Sequence, residues 1–249
     1  MTDFHIHSEY SFDGSEQLEG IVLASIKKGI KRIAITDHLE FEKGKFLISK
    51  INLKKYISEI GELKIRYNDK IEILCGIELG YEKQHAQKLA DYIKDLRFDY
   101  VINAVHVVDG IDCYFADYYK GKDKQTAYSN YFNAVLDSLD APYKFDTIAH
   151  LGYVVRMSPY LDKTIYYKDF AGVIDKILLK IIAEDKFLEV NSNAKDDSMP
   201  LIPNVEILKR YKELGGNKLI FGSDAHKIER IGDNYDKVLE VVKILGLDF

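Results

Sequence analysis

Lys218-Leu219-Ile220-Phe221-Gly222-Ser223-Asp224-Ala225-His226 is a short apolar run that stops at a glycine and hands over at once to a carboxylate and an imidazole. A run of that length and bounding reads as a β-strand, so Asp224 and His226 stand at its carboxyl end. The same arrangement recurs along the chain. Phe4-His5-Ile6-His7 is a strand with imidazoles at its end, and Ile33-Ala34-Ile35 is followed by Thr36-Asp37-His38. Ile71 to Ile77 is closed by Glu78, Tyr100 to Val105 by His106, and Asp146 to Ala149 by His150. Six of the seven histidines fall in these segments. In a parallel β/α barrel the carboxyl ends of the strands converge on the face where active sites are built. The pattern predicts an α/β chain that gathers these side chains at one mouth.

Working outward, helical spacing of apolar residues predicts helices over Glu16 to Lys28, Asn52 to Tyr67, Lys83 to Leu96, Lys124 to Leu139, Lys168 to Ala183, Asn204 to Leu214 and Asp233 to Leu245. Asn52 is a candidate cap. With a sixth strand at Phe187 to Val190, the count is seven strand and helix units, one short of the usual eight. No repeat or Pro/Gly-rich linker divides the chain, so residues 1–249 are expected to form a single domain. Two connections, Asp109 to Asp123 and Leu151 to Tyr167, are long enough to suggest lids or binding loops.

Composition narrows the function. Hydrophobic residues make up 47% and charged residues 30%, which suits a globular protein with a sizeable core. There is neither an apolar run of membrane-spanning length nor an N-terminal signal pattern, so no membrane partner and a cytoplasmic location are expected. Two cysteines, Cys75 and Cys113, supply neither a disulfide framework nor a thiolate cluster. A net charge of −5 and a pI near 5.8 argue against a nucleic-acid partner. The composition says nothing of oligomeric state.

Alternate residues on a strand share a face, so His5 and His7 point the same way while Ile6 turns aside. Six imidazoles with Asp13, Asp37, Glu78 and Asp224 in reach exceed the roughly three protein ligands of one catalytic zinc. Two or three divalent ions are expected, and mixed nitrogen and oxygen ligands suit Zn, Mn or Fe better than Mg or Ca. Paired metal ions assist phosphoryl displacement, which makes phosphate ester hydrolysis the expected reaction. His85, in the charged stretch Glu82-Lys83-Gln84-His85, is expected to be solvated surface.

The order His-x-His, Asp13, Thr-Asp-His, Gly-Ile-Glu, Val-His, Ala-His and Gly-Ser-Asp-x-His resembles the PHP (polymerase and histidinol phosphatase) superfamily over the whole chain. The segment His150-Leu151-Gly152-Tyr153-Val154-Val155-Arg156-Met157-Ser158-Pro159-Tyr160 is similar to the stand-alone histidinol-phosphate phosphatases. That resemblance implies a distorted seven-unit (β/α) barrel, a trinuclear metal site and a place in histidine biosynthesis. It implies His5, His7, Glu78 and Asp224 around one ion, Glu78, His106 and His150 around a second, and Asp13, His38 and His226 around a third. Glu78, Asp224 and His226 would thus serve catalysis as well as metal binding, and Arg156 would bind the substrate phosphate, its planar fork matching phosphate oxygens.

One departure bears on the substrate. The family often places a second phosphate-binding arginine after the sixth strand, whereas Glu189-Val190-Asn191-Ser192-Asn193-Ala194-Lys195 contains none. Lys195 or Asn193 is available to stand in, though a lysine offers a point charge instead of a fork. Histidinol phosphate leads the candidate substrates. Another small phosphomonoester or phosphotyrosine is the rival within enzymes, and a non-catalytic metal-binding domain is the rival outside them.

Overall fold

The computed structural model describes residues 1–42, 45–46, 51–193 and 201–249, leaving the side chains of 41, 42, 45 and 46 aside. Seven strands form one parallel array in chain order: β1 (Thr2–Ile6), β2 (Arg32–Ile35), β3 (Glu72–Gly80), β4 (Tyr100–Ala104), β5 (Thr147–Ile148), β6 (Phe187–Asn191) and β7 (Leu219–Gly222). The array nearly closes. Ile6 forms a parallel bridge with Ala225, and the His7 N–H donates to the Ala225 carbonyl at 2.9 Å, so β1 meets the segment leaving β7. The result is a seven-stranded (β/α) barrel, as the strand count predicted.

Each predicted helix is present, six with trimmed ends and the fifth starting one residue early: α1 (Leu18–Lys27), α2 (Leu53–Arg66), α3 (Ala86–Ile93), α4 (Lys124–Ser138), α5 (Tyr167–Ala183), α6 (Val205–Glu213) and α7 (Tyr235–Ile244). Asn52 caps α2, its side chain accepting from the Lys55 N–H at 3.1 Å. Asp123 and Asn204 do the same for α4 and α6. The helices bury apolar stripes against the outside of the barrel; on α5 these are Phe170, Ile174, Ile177, Leu178 and Ile181. Burial of each such side chain contributes about 1.5–3 kcal/mol. Among the described residues no helix is long and apolar enough to cross a membrane.

The interior is filled by a small set that includes Phe4, Ala34, Tyr100, Ile102, Ala104 and Ala149. Phe4 of β1 meets Tyr100 of β4 edge-on at 5.3 Å, a contact between strands that are not neighbours and hence across the barrel. His5, the next residue, also reaches across, to Glu78 of β3. Two successive inward side chains break the alternation of a regular strand, and the β1–β2 register shifts between Asp3 and Ile6 to permit it.

Strand β3 is longer than its predicted span. Its first half pairs with β2 (Arg32 with Glu72 through Ile35 with Cys75), and its second half with β4 (Gly76 with Tyr100 through Gly80 with Ala104). A two-residue strand, His38–Leu39, continues beyond β2 and pairs with Glu78–Leu79. Glu78 therefore lies within β3 instead of closing it, directly beside His38. The two long connections also have local order: Val107–Val108 and Ile111–Asp112 form a hairpin, and Ala116–Tyr119 and Tyr153–Val155 are single 3₁₀ turns.

Candidate metal centre

The barrel brings His5, His7, Asp13, His38, Glu78, His106, His150, Asp224 and His226 to one end, and Glu78 stands at their centre. Its Oε2 is 3.3 Å from His5 Nε2, 3.6 Å from His7 Nε2 and 2.7 Å from His38 Nδ1. Its Oε1 is 3.1 Å from His150 Nε2 and 3.5 Å from His106 Nε2. Asp224 Oδ1 lies 3.3 Å from His7 Nε2 and 3.8 Å from His5 Nε2. On the open side, Asp13 places Oδ2 3.1 Å from His226 Nε2 and Oδ1 3.7 Å from His38 Nε2. Two members, His150 (φ 25°) and Asp224 (φ 53°), hold left-handed backbone that non-glycine residues rarely adopt. Strain of this kind, about 1–3 kcal/mol each, persists where surrounding structure over-determines it.

Outer hydrogen bonds set the imidazole tautomers. His5 Nδ1–H donates to Glu189 Oε1 at 2.6 Å, His7 Nδ1–H to Ser11 Oγ at 3.1 Å, His106 Nδ1–H to Glu40 Oε2 at 2.9 Å, and His226 Nδ1–H to the Asp224 carbonyl at 3.0 Å. Each bond leaves the Nε2 lone pair of its ring facing inward.

Several of these inward atoms have no partner. His5 Nε2, His7 Nε2, His38 Nδ1, His226 Nε2 and Glu78 Oε2 are buried and make no hydrogen bond, despite their close approach to one another. Buried polar atoms are rarely left so. Converging nitrogen and carboxylate donors of this kind fit divalent transition-metal ions. Among the described residues, four three-residue groups have donor atoms close enough to share an ion: His5, His7 and Asp224; Glu78, His106 and His150; His7, His38 and His226; and His38, Glu40 and His106.

Electrostatics couple the members of the cluster: against the opposing effect of burial, neighbouring carboxylates raise His5 and His106 well above the ordinary imidazole value and His38 to about 9. Burial alone would push the Glu78 carboxyl up, but the imidazoles of His5, His38 and His106 hold it well below its ordinary range. Asp224, also raised by burial, is held well below its usual value by Arg156 and His5. Asp13 is brought down to about 2, the pull of His226 and His38 outweighing burial. His7 is driven well below its ordinary value by burial and by the neighbouring His226 and His38, which favours the neutral imidazole a metal requires.

Two sequence expectations need correction. Asp37 is not turned toward the cluster: its Oδ1 accepts from the Ser8 N–H at 2.7 Å and Ser11 Oγ at 2.6 Å, and its Oδ2 from Ser8 Oγ at 2.7 Å. It anchors the loop carrying Asp13. His85 is not solvated, because it precedes α3 and its Nδ1 meets Glu82 Oε2 at 2.6 Å, leaving the ring 13% exposed. It stands apart from the cluster all the same. Lys195 lies outside the described residues. Sequence reading also missed Glu40 and Glu189, whose only local sign was an acidic residue in a stretch otherwise read as apolar strand or strand end.

Above the cluster opens a cavity of about 450 Å³, lined on one side by Asp13, His38, His106, Asp224 and His226 and on the others by Phe12, Glu40, Asp112, Tyr114, Phe115, Tyr153, Arg156 and Asn193. Both long connections contribute, Asp112, Tyr114 and Phe115 from one and Tyr153 and Arg156 from the other. Arg156 sits over the Tyr153 ring at 5.1 Å and donates through Nη2 to Asp224 Oδ2 at 2.7 Å and Asn191 Oδ1 at 3.0 Å. Asn193 lines the same cavity, and its Nδ2 donates to the Asp224 carbonyl at 3.2 Å.

A seven-stranded parallel barrel with histidines and carboxylates gathered at its carboxyl-terminal mouth defines a class of metal-binding domains. The chain belongs to the PHP domain family, which matches residues 3–193. It is 31% identical to the histidinol-phosphatase of Lactococcus lactis subsp. lactis over 245 residues, covering 98% of this chain and 91% of that protein. A probable histidinol-phosphatase of Clostridium acetobutylicum is 31% identical over 251 residues, covering 98% of this chain and 94% of its own length. The crystal structure of the Lactococcus lactis histidinol phosphate phosphatase, complexed with zinc, L-histidinol and phosphate, superimposes with a TM-score of 0.90 at 30% identity, covering 99% of this chain and 94% of that one.

Proposed function

We propose that this chain is a metal-dependent phosphomonoesterase that hydrolyses L-histidinol phosphate to L-histidinol and phosphate, acting in histidine biosynthesis in the cytoplasm as one catalytic domain over residues 1–249. The carrying observation is the convergence of unpartnered buried imidazole and carboxylate atoms beneath a cavity whose wall holds Arg156. The similarity to histidinol-phosphatases over nearly the full chain supports it.

His5, His7, Glu78 and Asp224 would hold one divalent ion, Glu78, His106 and His150 a second, and Asp13, His38 and His226 a third. Zinc, manganese or iron matches such mixed ligands. Ions bound there supply positive charge against a phosphoryl group and lower the pKa of a water molecule. Glu78 faces five imidazoles with its two oxygens and so would hold ions bound on either side in register. Arg156 is fixed by Asp224 and Asn191, and its remaining N–H groups can grip a phosphate oxygen beside the ions. Asn193 lines the same wall and supplies an amide where the family often has an arginine. Phe12, Tyr114, Phe115 and Tyr153 give the rest of the cavity an aromatic wall, and its size fits a small phosphomonoester.

Phosphate release from L-histidinol phosphate, compared with tyrosine phosphate, sugar phosphates and nucleotides, tests the assignment. The expected result is the highest kcat/KM for histidinol phosphate. A preference for another phosphomonoester would keep the phosphatase and replace the substrate, and absence of release from every ester in zinc would overturn both.

A further inference from the structure

Two buried glutamates flank the histidine cluster, Glu189 from behind and Glu40 at the cavity wall, and each fills space that a glycine on an adjoining strand leaves open. Glu189, on β6, is buried beside Gly222 at the end of β7. A Cβ at Gly222 would fall well inside contact distance of Glu189 Oε1 and 2.8 Å from the Cβ of His5. Glu40 packs against Gly80 at the end of β3, where a Cβ would collide with the Glu40 Cβ and Oε2. Neither glycine has the positive φ that would by itself demand one. Space for a carboxylate is what both positions provide.

Each carboxylate takes the outward N–H of one cluster histidine: Glu189 Oε1 that of His5 at 2.6 Å, and Glu40 Oε2 that of His106 at 2.9 Å. His5 and His106 belong to different donor groups on opposite sides of Glu78. Glu189 has a second task, since its Oε2 accepts the backbone N–H of His150 at 2.6 Å and so pins the left-handed backbone that aims the His150 ring. It also receives Asn191 Nδ2 at 3.2 Å.

We propose that Glu189 and Glu40 are positioning residues that set metal affinity through the histidines they hold, Glu189 through His5 and His150 together and Glu40 through His106, each seated by its glycine, Gly222 or Gly80. A carboxylate on Nδ1–H fixes the tautomer, orients the ring and raises the basicity of Nε2. The two sites respond differently to an amide. Glutamine at 189 has one acceptor oxygen for two facing donors, His5 Nδ1–H and His150 N–H, so its NH₂ either opposes the His150 N–H or forces His5 into the wrong tautomer. Glutamine at 40 still offers its oxygen to His106.

Zinc affinity of the full-length protein, read by competition with a chromogenic chelator, tests the proposal together with the melting temperature of the metal-free variants. Glu189→Gln and Glu40→Ala should each weaken zinc binding by about 10–100-fold, while Glu40→Gln should recover most of the loss at that site. A folded Glu189→Gln with wild-type zinc affinity overturns the role of Glu189. Lowered metal-free melting with unchanged zinc affinity, in either residue's variants, marks a structural role and overturns the proposal for that residue. If Glu189→Gln does not fold, the Glu40→Ala and Glu40→Gln pair decides the carboxylate principle on its own. The inference rests on the metal centre proposed above, but its readout is zinc and not turnover. A protein that binds zinc and leaves histidinol phosphate intact would sink the substrate assignment alone, whereas one that binds no zinc would sink this inference.

Discussion

Glu78 touches more of the cluster than any other side chain described. Its Oε2 serves His5, His7 and His38, and its Oε1 serves His106 and His150. An amide of the same shape presents an NH₂ to imidazole nitrogens that already point inward and carries no charge to offset two ions. Glu78→Gln should lower phosphatase kcat/KM by at least about 100-fold, equivalent to roughly 2.7 kcal/mol, and should reduce bound zinc in elemental analysis. Arg156 tests a different function. Arg156→Ala should lower kcat/KM for phosphomonoesters about tenfold to several hundredfold, as loss of a charge-assisted hydrogen bond worth about 1.5–3 kcal/mol implies. With zinc in excess its metal content should stay full. Unaltered kinetics would place phosphate recognition with the metal ions alone. His85 is the counterpart, bonded to Glu82 away from the cluster, and His85→Ala should leave zinc stoichiometry and kcat/KM unchanged.

One carboxylate reinforces the join between the first and last strands. Asp3 of β1 accepts the Ser223 N–H at 2.9 Å through Oδ1 and the Gly232 N–H at 2.8 Å through Oδ2, tying β1 to the segment after β7 that carries Asp224 and His226. It is wholly buried with no cation beside it among the described residues, and burial lifts its pKa to about 6 despite the N–H donors. Asp3→Ala would strand those donors, at about 1–3 kcal/mol for each buried group left unsatisfied. We expect a loss on the order of 3 kcal/mol in denaturant unfolding of the metal-free protein. A change below about 0.5 kcal/mol would show that the closing backbone bond from His7 to Ala225 suffices. A neighbouring element illustrates how local reading falls short. Asp37 sits at a strand end beside a histidine, the same signature as the cluster residues, yet it is turned toward Ser8 and Ser11 because those hydroxyls and an N–H satisfy both its oxygens. Strand-end position by itself does not separate a cluster member from a loop anchor.

For the molecule as a whole, the cluster places several carboxylates and imidazoles in a buried space whose donors face each other without partners. Metal binding to the folded chain alone stabilises it by mass action, about 2.7 kcal/mol for one ion at a concentration 100 times its Kd. At roughly 2–4 °C per kcal/mol for a chain of this size, stripping the metals should lower the melting temperature by about 5–10 °C per tightly held ion. Added zinc should restore it, with more than one ion per chain. Saturation at a single ion, or identical melting with and without zinc, would contradict a multinuclear centre.

Much of this architecture was legible in the chain. Apolar runs of strand length closed by His, Asp or Glu, alternating with helical periodicity, indicated seven strand and helix units and the residues that meet at one mouth, because strand length, alternation and end position are local properties carried by neighbouring residues. The partnerships were not legible. Glu189 reaches His5 across 184 positions and Glu40 reaches His106 across 66, contacts set by strand order, by the bulge near Asp3 and by the room that Gly222 and Gly80 leave. Glu78 meets His38 because β3 runs past the end of β2 and stays paired, in the same parallel register, with the chain that continues beyond it. Which polar residues turn inward, and which second residue fixes the tautomer of each imidazole, follow from closure of the barrel. Closure joins segments distant in the chain, and no local pattern encodes the distances between them.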